Sequence, residues 1–189
     1  MKTKIYPFLI LFSVVLTSIL IVILPTFFTK GVSRITVDKE ISLPLILDDN
    51  KTIKLLFFGY SGCSDICTPR LYDISEFYNQ LTKKERNSLG VEFLDISIPD
   101  DKTLPLRFAQ FFNPDFKGIF LEEKNLRDYT KEFNVYFSKS LLDETEYDHT
   151  AHLYLVTKKN KKKTIRYLYN SYPYDFEQIH LDIKELLNE

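Results

Sequence analysis

The sequence predicts an α/β domain carried behind a single membrane-spanning helix. Three observations predict it. Residues 5–29 contain no charged side chain. After them, apolar runs of strand length alternate with segments of helical periodicity. The chain then ends on two β-patterned runs and an amphipathic helix. At 189 residues there is room for one domain plus an appendage. A hydrophobic content of 44% excludes a largely disordered chain. With 25 Lys+Arg against 26 Asp+Glu, a nucleic-acid binder driven by a basic face is excluded as well. Two cysteines exclude a multi-disulfide scaffold and a Cys₄ zinc site within one chain. Five glycines leave little material for a glycine-rich phosphate loop.

A helix crosses the hydrocarbon core with about 20 apolar residues, and residues 5–29 exceed that. A cleaved signal peptide has an apolar stretch of roughly 7–15 residues and a small-x-small cleavage site. Phe28, Thr29, Lys30 and Gly31 fit that pattern poorly, and no cysteine follows for lipid attachment. The expectation is an uncleaved anchor over residues 1–30 and a folded domain over 31–189. Lys2 and Lys4 favour a cytoplasmic N-terminus, although Lys30 on the far side works against them. Leaving out lysines 2, 4 and 30, the outer part has 22 positive and 26 negative groups, a net of −4. No Arg-rich amphipathic transit peptide is present. These features point to a single-pass protein of a bacterial inner membrane with its domain in the periplasm.

The elements follow in order. Residues 34–37 and 41–47 read as a β-hairpin with its turn at 48–50. Residues 53–58 are an unbroken apolar run, suited to a strand buried on both faces. A polar loop at 59–67 leads into a helix with Pro69 in its first turn, capped by Thr68 or by Asp65. Leu71, Ile74, Phe77, Tyr78 and Leu81 form its inward stripe. Residues 91–98 are the next strand, 105–112 a helix, 116–120 a short strand and 125–133 a helix, followed by an extended 135–137. After an acidic loop come strands at 151–157 and 164–169, then a helix over 174–187. This order is that of a thioredoxin-like fold: an N-terminal β-hairpin, alternating strands and helices, and a terminal hairpin packed by the last helix.

Cys63 and Cys67 are the only thiols. A structural disulfide between them would close too small a loop to stabilise much. The polar loop around them (Tyr60, Ser61, Gly62, Ser64, Asp65) argues against two inert buried thiols. The loop lies at a strand end and before a helix N-terminus, where open α/β sheets place ligand sites and where the helix dipole favours thiolate. Such a pair can cycle between dithiol and disulfide, or chelate a soft metal ion. Zinc wants further ligands; Cu(I) is content with two thiolates and one more donor.

The segment Phe57-Phe58-Gly59-Tyr60-Ser61-Gly62-Cys63-Ser64-Asp65-Ile66-Cys67 resembles the signature loop of the SCO/SenC proteins, membrane-anchored thioredoxin-like copper proteins of cytochrome c oxidase assembly. Phe111-Phe112-Asn113-Pro114-Asp115-Phe116-Lys117-Gly118 resembles a second segment of that family. Tyr147-Asp148-His149-Thr150, before the strand Leu153-Tyr154-Leu155-Val156, is similar to its histidine motif. The resemblance covers roughly residues 40–187. It implies copper, as Cu(I) or Cu(II), held by Cys63, Cys67 and His149, with Cys63 and Cys67 as a redox-active pair. It implies a chaperone role at the CuA centre of cytochrome c oxidase subunit II and a separate thiol reductant. Two alternatives stand beside it: an enzyme, a periplasmic thiol–disulfide oxidoreductase that keeps partner cysteines reduced, and a copper- or redox-responsive signalling protein. The family has proline after each cysteine; here Ser64 follows the first and the second proline is displaced to Pro69. The family's acidic loop becomes Ile98-Pro99-Asp100-Asp101-Lys102, with Asp100 the candidate for its usual Asp.

A lone histidine is ordinarily a surface or core residue, and the motif is what singles out His149. His152, three residues on, faces the other way in an extended chain. His180 is expected to be structural, and Asp148 to accept from His149. The lysine run at 158–163 reads as a solvated hairpin turn whose lysines protect strand edges.

Overall fold

The computed structural model describes residues 5–28, 34–43, 51–141, 143, 146–159 and 162–189. The chain divides into two compact units, Met1–Ser33 and Arg34–Glu189. The first holds helix α1 (Ile5–Phe28). Among the described residues no helix is long and apolar enough to cross a membrane.

The second unit runs β1 (Arg34–Ile41), β2 (Ile53–Gly59), α2 (Cys67–Gln80), α3 (Lys83–Ser88), β3 (Leu89–Asp95), α4 (Leu104–Phe112), β4 (Lys117–Phe120), α5 (Glu123–Glu132), β5 (Phe137–Lys139), β6 (Tyr147–His149), β7 (Leu153–Lys159), β8 (Lys162–Tyr169) and α6 (Phe176–Asn188). Six strands form one mixed sheet in the order β1-β8-β7-β2-β3-β4; β5 and β6 form a separate two-stranded sheet. β2, β3 and β4 are parallel, whereas β7 runs antiparallel to β2, β8 to β7 and β1 to β8. This is the α/β arrangement expected.

β2 is buried at every position, as its unbroken apolar run requires of a strand covered on both faces. Side chains alternate between the faces. Phe57 meets Phe93 and, through it, Phe108 of α4, while Phe58 meets Phe133 and Tyr154 on the other side. Phe77 of α2 stacks on Phe176 of α6.

The structure corrects several expectations. The N-terminal hairpin is replaced by one strand: β1 extends to Ile41 and pairs with β8, Arg34 opposite Tyr169 and Ile41 opposite Lys163. Residues 44–50, the rest of that expected hairpin, lie outside the described residues. α2 begins at Cys67 with Ile66 as its N-cap, and neither Thr68 nor Asp65 caps it. Thr68 is instead inside the first turn, donating its hydroxyl to the Cys63 carbonyl at 2.8 Å. β3 stops at Asp95 rather than 98, because the Asp95 carboxylate accepts the Ser97 N–H at 2.8 Å and turns the chain. α3 was not expected, since Lys83-Lys84-Glu85-Arg86-Asn87-Ser88 carries no apolar stripe. It is held by a capping box between Thr82 and Glu85. The lysine hairpin joins β7 to β8 as read, but both strands are interior, so its lysines protect no edge. They serve local bonds: Lys159 donates to the Glu189 carbonyl and Lys163 to that of Leu43.

One charged pair lies inside the sheet. Lys54 stands opposite Gly90 in the β2–β3 register, and a Cβ at Gly90 would come 3.1 Å from both Cδ and Nζ of Lys54. The bare glycine lets the lysine lie along the sheet to Glu92, 2.7 Å away, with both side chains 1% exposed. Removing one member of a buried pair leaves a charge without its counter-ion and costs about 3–5 kcal/mol, whereas apolar replacement of both is often close to neutral. Lys54→Met and Glu92→Gln are therefore each expected to lower stability by about 3 kcal/mol or more, and the double variant Lys54→Met/Glu92→Leu by less than either. Urea unfolding measures all three; single variants within about 1 kcal/mol of wild type would contradict this account.

Candidate metal centre

The centre is built where β2 gives way to α2. Gly59 ends the strand, and a Cβ there would lie 2.5 Å from Cys67 Sγ and 2.9 Å from Phe93 Cε2. Only glycine allows the first turn of α2 to sit this close. The Cys63 N–H donates to the Tyr60 carbonyl at 3.2 Å, closing a tight turn in which Gly62 takes φ 98°, a value glycine reaches without strain. The Cys63 carbonyl then accepts from the backbone and the hydroxyl of Thr68. These bonds fold residues 60–68 into one knot around the two sulfurs.

Both cysteines are reduced and buried, with Cys63 2% and Cys67 0% exposed. The polar composition of the loop argued for accessible thiols. The loop instead turns Ser64 and Asp65 outward, bonded to each other at the surface, and packs its sulfurs inward. The Cys67 N–H, at the first residue of α2, points at Cys63 Sγ from 3.2 Å. The helix N-terminus therefore acts on the first cysteine. The Cys67 side chain donates to Cys63, His149 and the backbone N–H groups of Cys67 and Ile66 add to this, and together they outweigh burial and lower the Cys63 thiol to about 4. Burial, and then the neighbouring Cys63, push the Cys67 thiol far up. The negative charge of the pair is therefore favoured on Cys63 and the proton on Cys67.

His149 arrives from a different part of the chain. It ends β6 and pairs with Phe137 of β5. The next residue, Thr150, donates its N–H to the Tyr136 carbonyl at 2.9 Å, and its hydroxyl accepts the Tyr136 N–H at 3.0 Å. His149 Nδ1 lies 3.2 Å from the Thr150 carbonyl, an acceptor only, so Nδ1 carries a proton. Nε2 faces Cys67 Sγ at 3.7 Å; protonated, it donates to the sulfurs, and deprotonated it offers a metal its lone pair. Tyr60 packs edge-on to the imidazole and against Tyr147. Asp148, expected to accept from His149, is exposed, and Thr150 takes that role.

The donor atoms of Cys63, Cys67 and His149 all lie within 4.8 Å of one another. Ligands about 2.0–2.3 Å from one ion are separated by up to about 4.5 Å, so small contractions bring the three onto a shared metal. Two sulfurs and one imidazole form a soft donor set. The structure thus brings together all three residues singled out in the sequence. His152 is not among them; it packs against Tyr154. His180 bonds Glu85 at 2.8 Å. Asp100 is exposed. The acidic residue that does reach the cysteine loop is Asp95, at the end of β3. It is fully buried and bonded to Ser61. Its sequence signal was a carboxylate interrupting an apolar strand.

Comparison with known proteins gives a consistent outcome. Residues 50–188 match the SCO1/SenC family. An SCO2-like protein of Rickettsia conorii is 28% identical over 114 residues, 58% of this chain and 55% of that one. The mitochondrial SCO2 homolog of Bos taurus is 28% identical over 109 residues, 54% and 41% of the two chains. The matches thus span about half the length of these relatives or less. Among solved structures, apo Sco1 of Thermus thermophilus superposes with a TM-score of 0.62 at 23% identity, covering 84% of this chain and 95% of that one. Yeast Sco1 with copper bound gives 0.58 at 21%, covering 70% and 76%. These likenesses carry the thioredoxin-like fold. With the matched segment spanning nearly the whole second unit and containing both cysteines and His149, the chain belongs to the SCO1/SenC family.

Proposed function

We propose that this chain is a copper metallochaperone acting on the CuA centre of cytochrome c oxidase subunit II. The observation that carries this reading is the convergence of Cys63, Cys67 and His149, supported by a solved family member, yeast Sco1, with copper bound. Cys63 presents a thiolate, and Cys67 supplies the second sulfur after giving up its proton on metal binding. The Nδ1–H bond to Thr150 holds the His149 ring with Nε2 toward the sulfurs. Burial of the thiols keeps them from adventitious oxidation. Delivery is ligand exchange: thiolates of the partner replace Cys63, Cys67 and His149 one at a time, with the copper oxidation state unchanged. Both sites must be reduced beforehand, so a thiol reductant is part of the scheme.

The chain would be anchored by residues 5–29 in a bacterial inner membrane with its domain in the periplasm; the uncharged stretch behind Lys2 and Lys4 supports this.

A second reading rests on the asymmetry of the thiols. The Cys63 thiolate can attack a partner disulfide, forming a mixed disulfide and releasing one partner thiolate. Cys67, once deprotonated, then attacks Cys63 Sγ, releasing the second and leaving Cys63–Cys67 oxidised. The reductant would return it to the dithiol.

Three measurements test these readings. In copper titrations of the reduced protein, wild type should bind one equivalent. His149→Ala should retain most Cu(I) affinity, because two thiolates satisfy a soft ion, and lose Cu(II) affinity by tenfold or more, about 1.4 kcal/mol. No copper bound at sub-micromolar free metal would leave the oxidoreductase reading in its place. Thiolate absorbance at 240 nm should show one thiolate at pH 7 that disappears on acidification with a midpoint near 4. The absorbance should vanish in Cys63→Ser, and in Cys67→Ala its midpoint should rise, since the hydrogen bond from the Cys67 side chain is the largest stabiliser of the Cys63 thiolate. A midpoint near the ordinary thiol value in wild type would contradict the geometry. For topology, protease added to spheroplasts should digest the domain, and full protection would overturn the proposed orientation.

A further inference from the structure

Asp95 is fully buried, yet it lies in no ion pair among the described residues. Its carboxylate is satisfied entirely by two serines. Oδ2 accepts the backbone N–H of Ser61 at 3.0 Å and the Ser61 hydroxyl; Oδ1 accepts the N–H of Ser97 at 2.8 Å and its hydroxyl at 2.6 Å. All four bonds are accepted, the pattern of a carboxylate with its lone pairs filled. Hydrogen bonds to a charged group contribute more than neutral ones, and a buried charge is retained only where such bonds replace its water.

The two serines differ in what they carry. Ser97 belongs to the turn that ends β3, and its side chain bonds Asp95 alone among the described residues. Ser61 lies inside the Tyr60–Cys63 turn, two residues before the first sulfur, next to Gly62 at φ 98°. A second tie runs beside it, the Ile96 N–H donating to the Gly59 carbonyl at 2.8 Å. The end of β3 thus grips the cysteine loop through one side chain, which fixes how the turn delivers Cys63 to the N–H of Cys67.

We infer that Asp95, acting through Ser61, is a positioning residue of the Cys63–Cys67 pair: it holds the loop in the reduced arrangement, with Cys63 Sγ at the N–H of Cys67. The inference rests on the reading of these cysteines as the metal-binding pair. The symmetry of the network supplies its own control. Ser61→Ala and Ser97→Ala each remove one hydroxyl bond from the same carboxylate and leave the backbone bond. A purely structural Asp95 makes them equivalent. A positioning Asp95 makes only the first felt at the sulfurs.

The test uses the full chain in neutral detergent, metal-free, equilibrated in thiol redox buffers to read the Cys63–Cys67 midpoint potential, with Tm measured alongside. Ser61→Ala should shift the dithiol–disulfide equilibrium toward the disulfide by about tenfold, about 30 mV more negative for a two-electron couple. Ser97→Ala should stay within about twofold of wild type, about 9 mV, while lowering Tm to a similar extent. Ser61→Thr, which keeps a hydroxyl, should restore the wild-type potential. Asp95→Asn should move the potential at least as far as Ser61→Ala; if it does not fold, the serine variants decide alone. Equal shifts in Ser61→Ala and Ser97→Ala, or a lowered Tm with no shift in either, overturns the inference. Copper binding is measured separately: wild type that binds none defeats the chaperone reading while leaving the potentials to judge Asp95.

Discussion

A sulfur atom stands where a side chain would otherwise be. Cys67 Sγ lies over the bare Cα of Gly59, in space any larger residue would occupy. A glycine inside a strand costs about 0.5–1 kcal/mol relative to alanine. Here it lets α2 settle onto the end of β2, and the rest of the centre follows. With α2 seated, the N–H of its first residue meets Cys63, the Cys63 carbonyl is taken up by Thr68, and Ser64 and Asp65 between them face outward. The same seat removes Cys67 from water, which keeps its proton on and leaves the negative charge on Cys63. The division of labour between the two thiols is thus a consequence of packing at a glycine.

The sheet that provides this seat contains more charge than its apolar runs suggest. Lys54 and Glu92 pair between β2 and β3, Asp95 ends β3, and Asp182 of α6 takes Arg34 and Tyr169 from β1 and β8. Each carboxylate has defined partners, as burial demands. They fix different things. Lys54–Glu92 links β2 to β3, with Gly90 leaving room beside the lysine. Asp182 ties the edge strand to the last helix. Asp95 joins the strand end to the cysteine loop. Apolar contacts of the same size would hold the layers together without selecting one register or one loop position.

Much of this was readable from the sequence, and the parts that were not share a cause. The strand at 53–58, the helix stripe from Leu71 to Leu81, the C-terminal β–β–α order and the three candidate metal donors all rest on local period or on a contiguous motif. α3 escaped because its six residues depend on a capping box and not on an apolar face. β1 was read as half of a hairpin because alternation shows a strand but not its partner; its partner is β8, over 120 residues away, chosen by tertiary packing. The burial of the cysteines was misread because composition reports which residues lie in a loop, not which way each one turns. Asp95 was passed over for Asp100, which lies nearer the family's acidic position, whereas the bond to Ser61 depends on two strand ends meeting in space.

The three donors therefore come under two kinds of control. The sulfurs lie in one five-residue stretch, and their approach is set by a turn, a helix start and a glycine. Apart from the grip of Asp95 on Ser61, that geometry is local, and it does not draw on the β5–β6 part of the chain. His149 comes from 82 residues beyond Cys67, and its place depends on the β5–β6 sheet, on the bonds between Thr150 and Tyr136, and on Tyr60 packing against Tyr147 and the imidazole. Tyr60 belongs to the cysteine loop as well, so it couples the two halves: a loop that moves carries with it the surface on which His149 rests. A soft ion satisfied by two thiolates needs only the local half, whereas a harder oxidation state needs both. In a centre so divided, the imidazole can move away while the approach of the two sulfurs is kept.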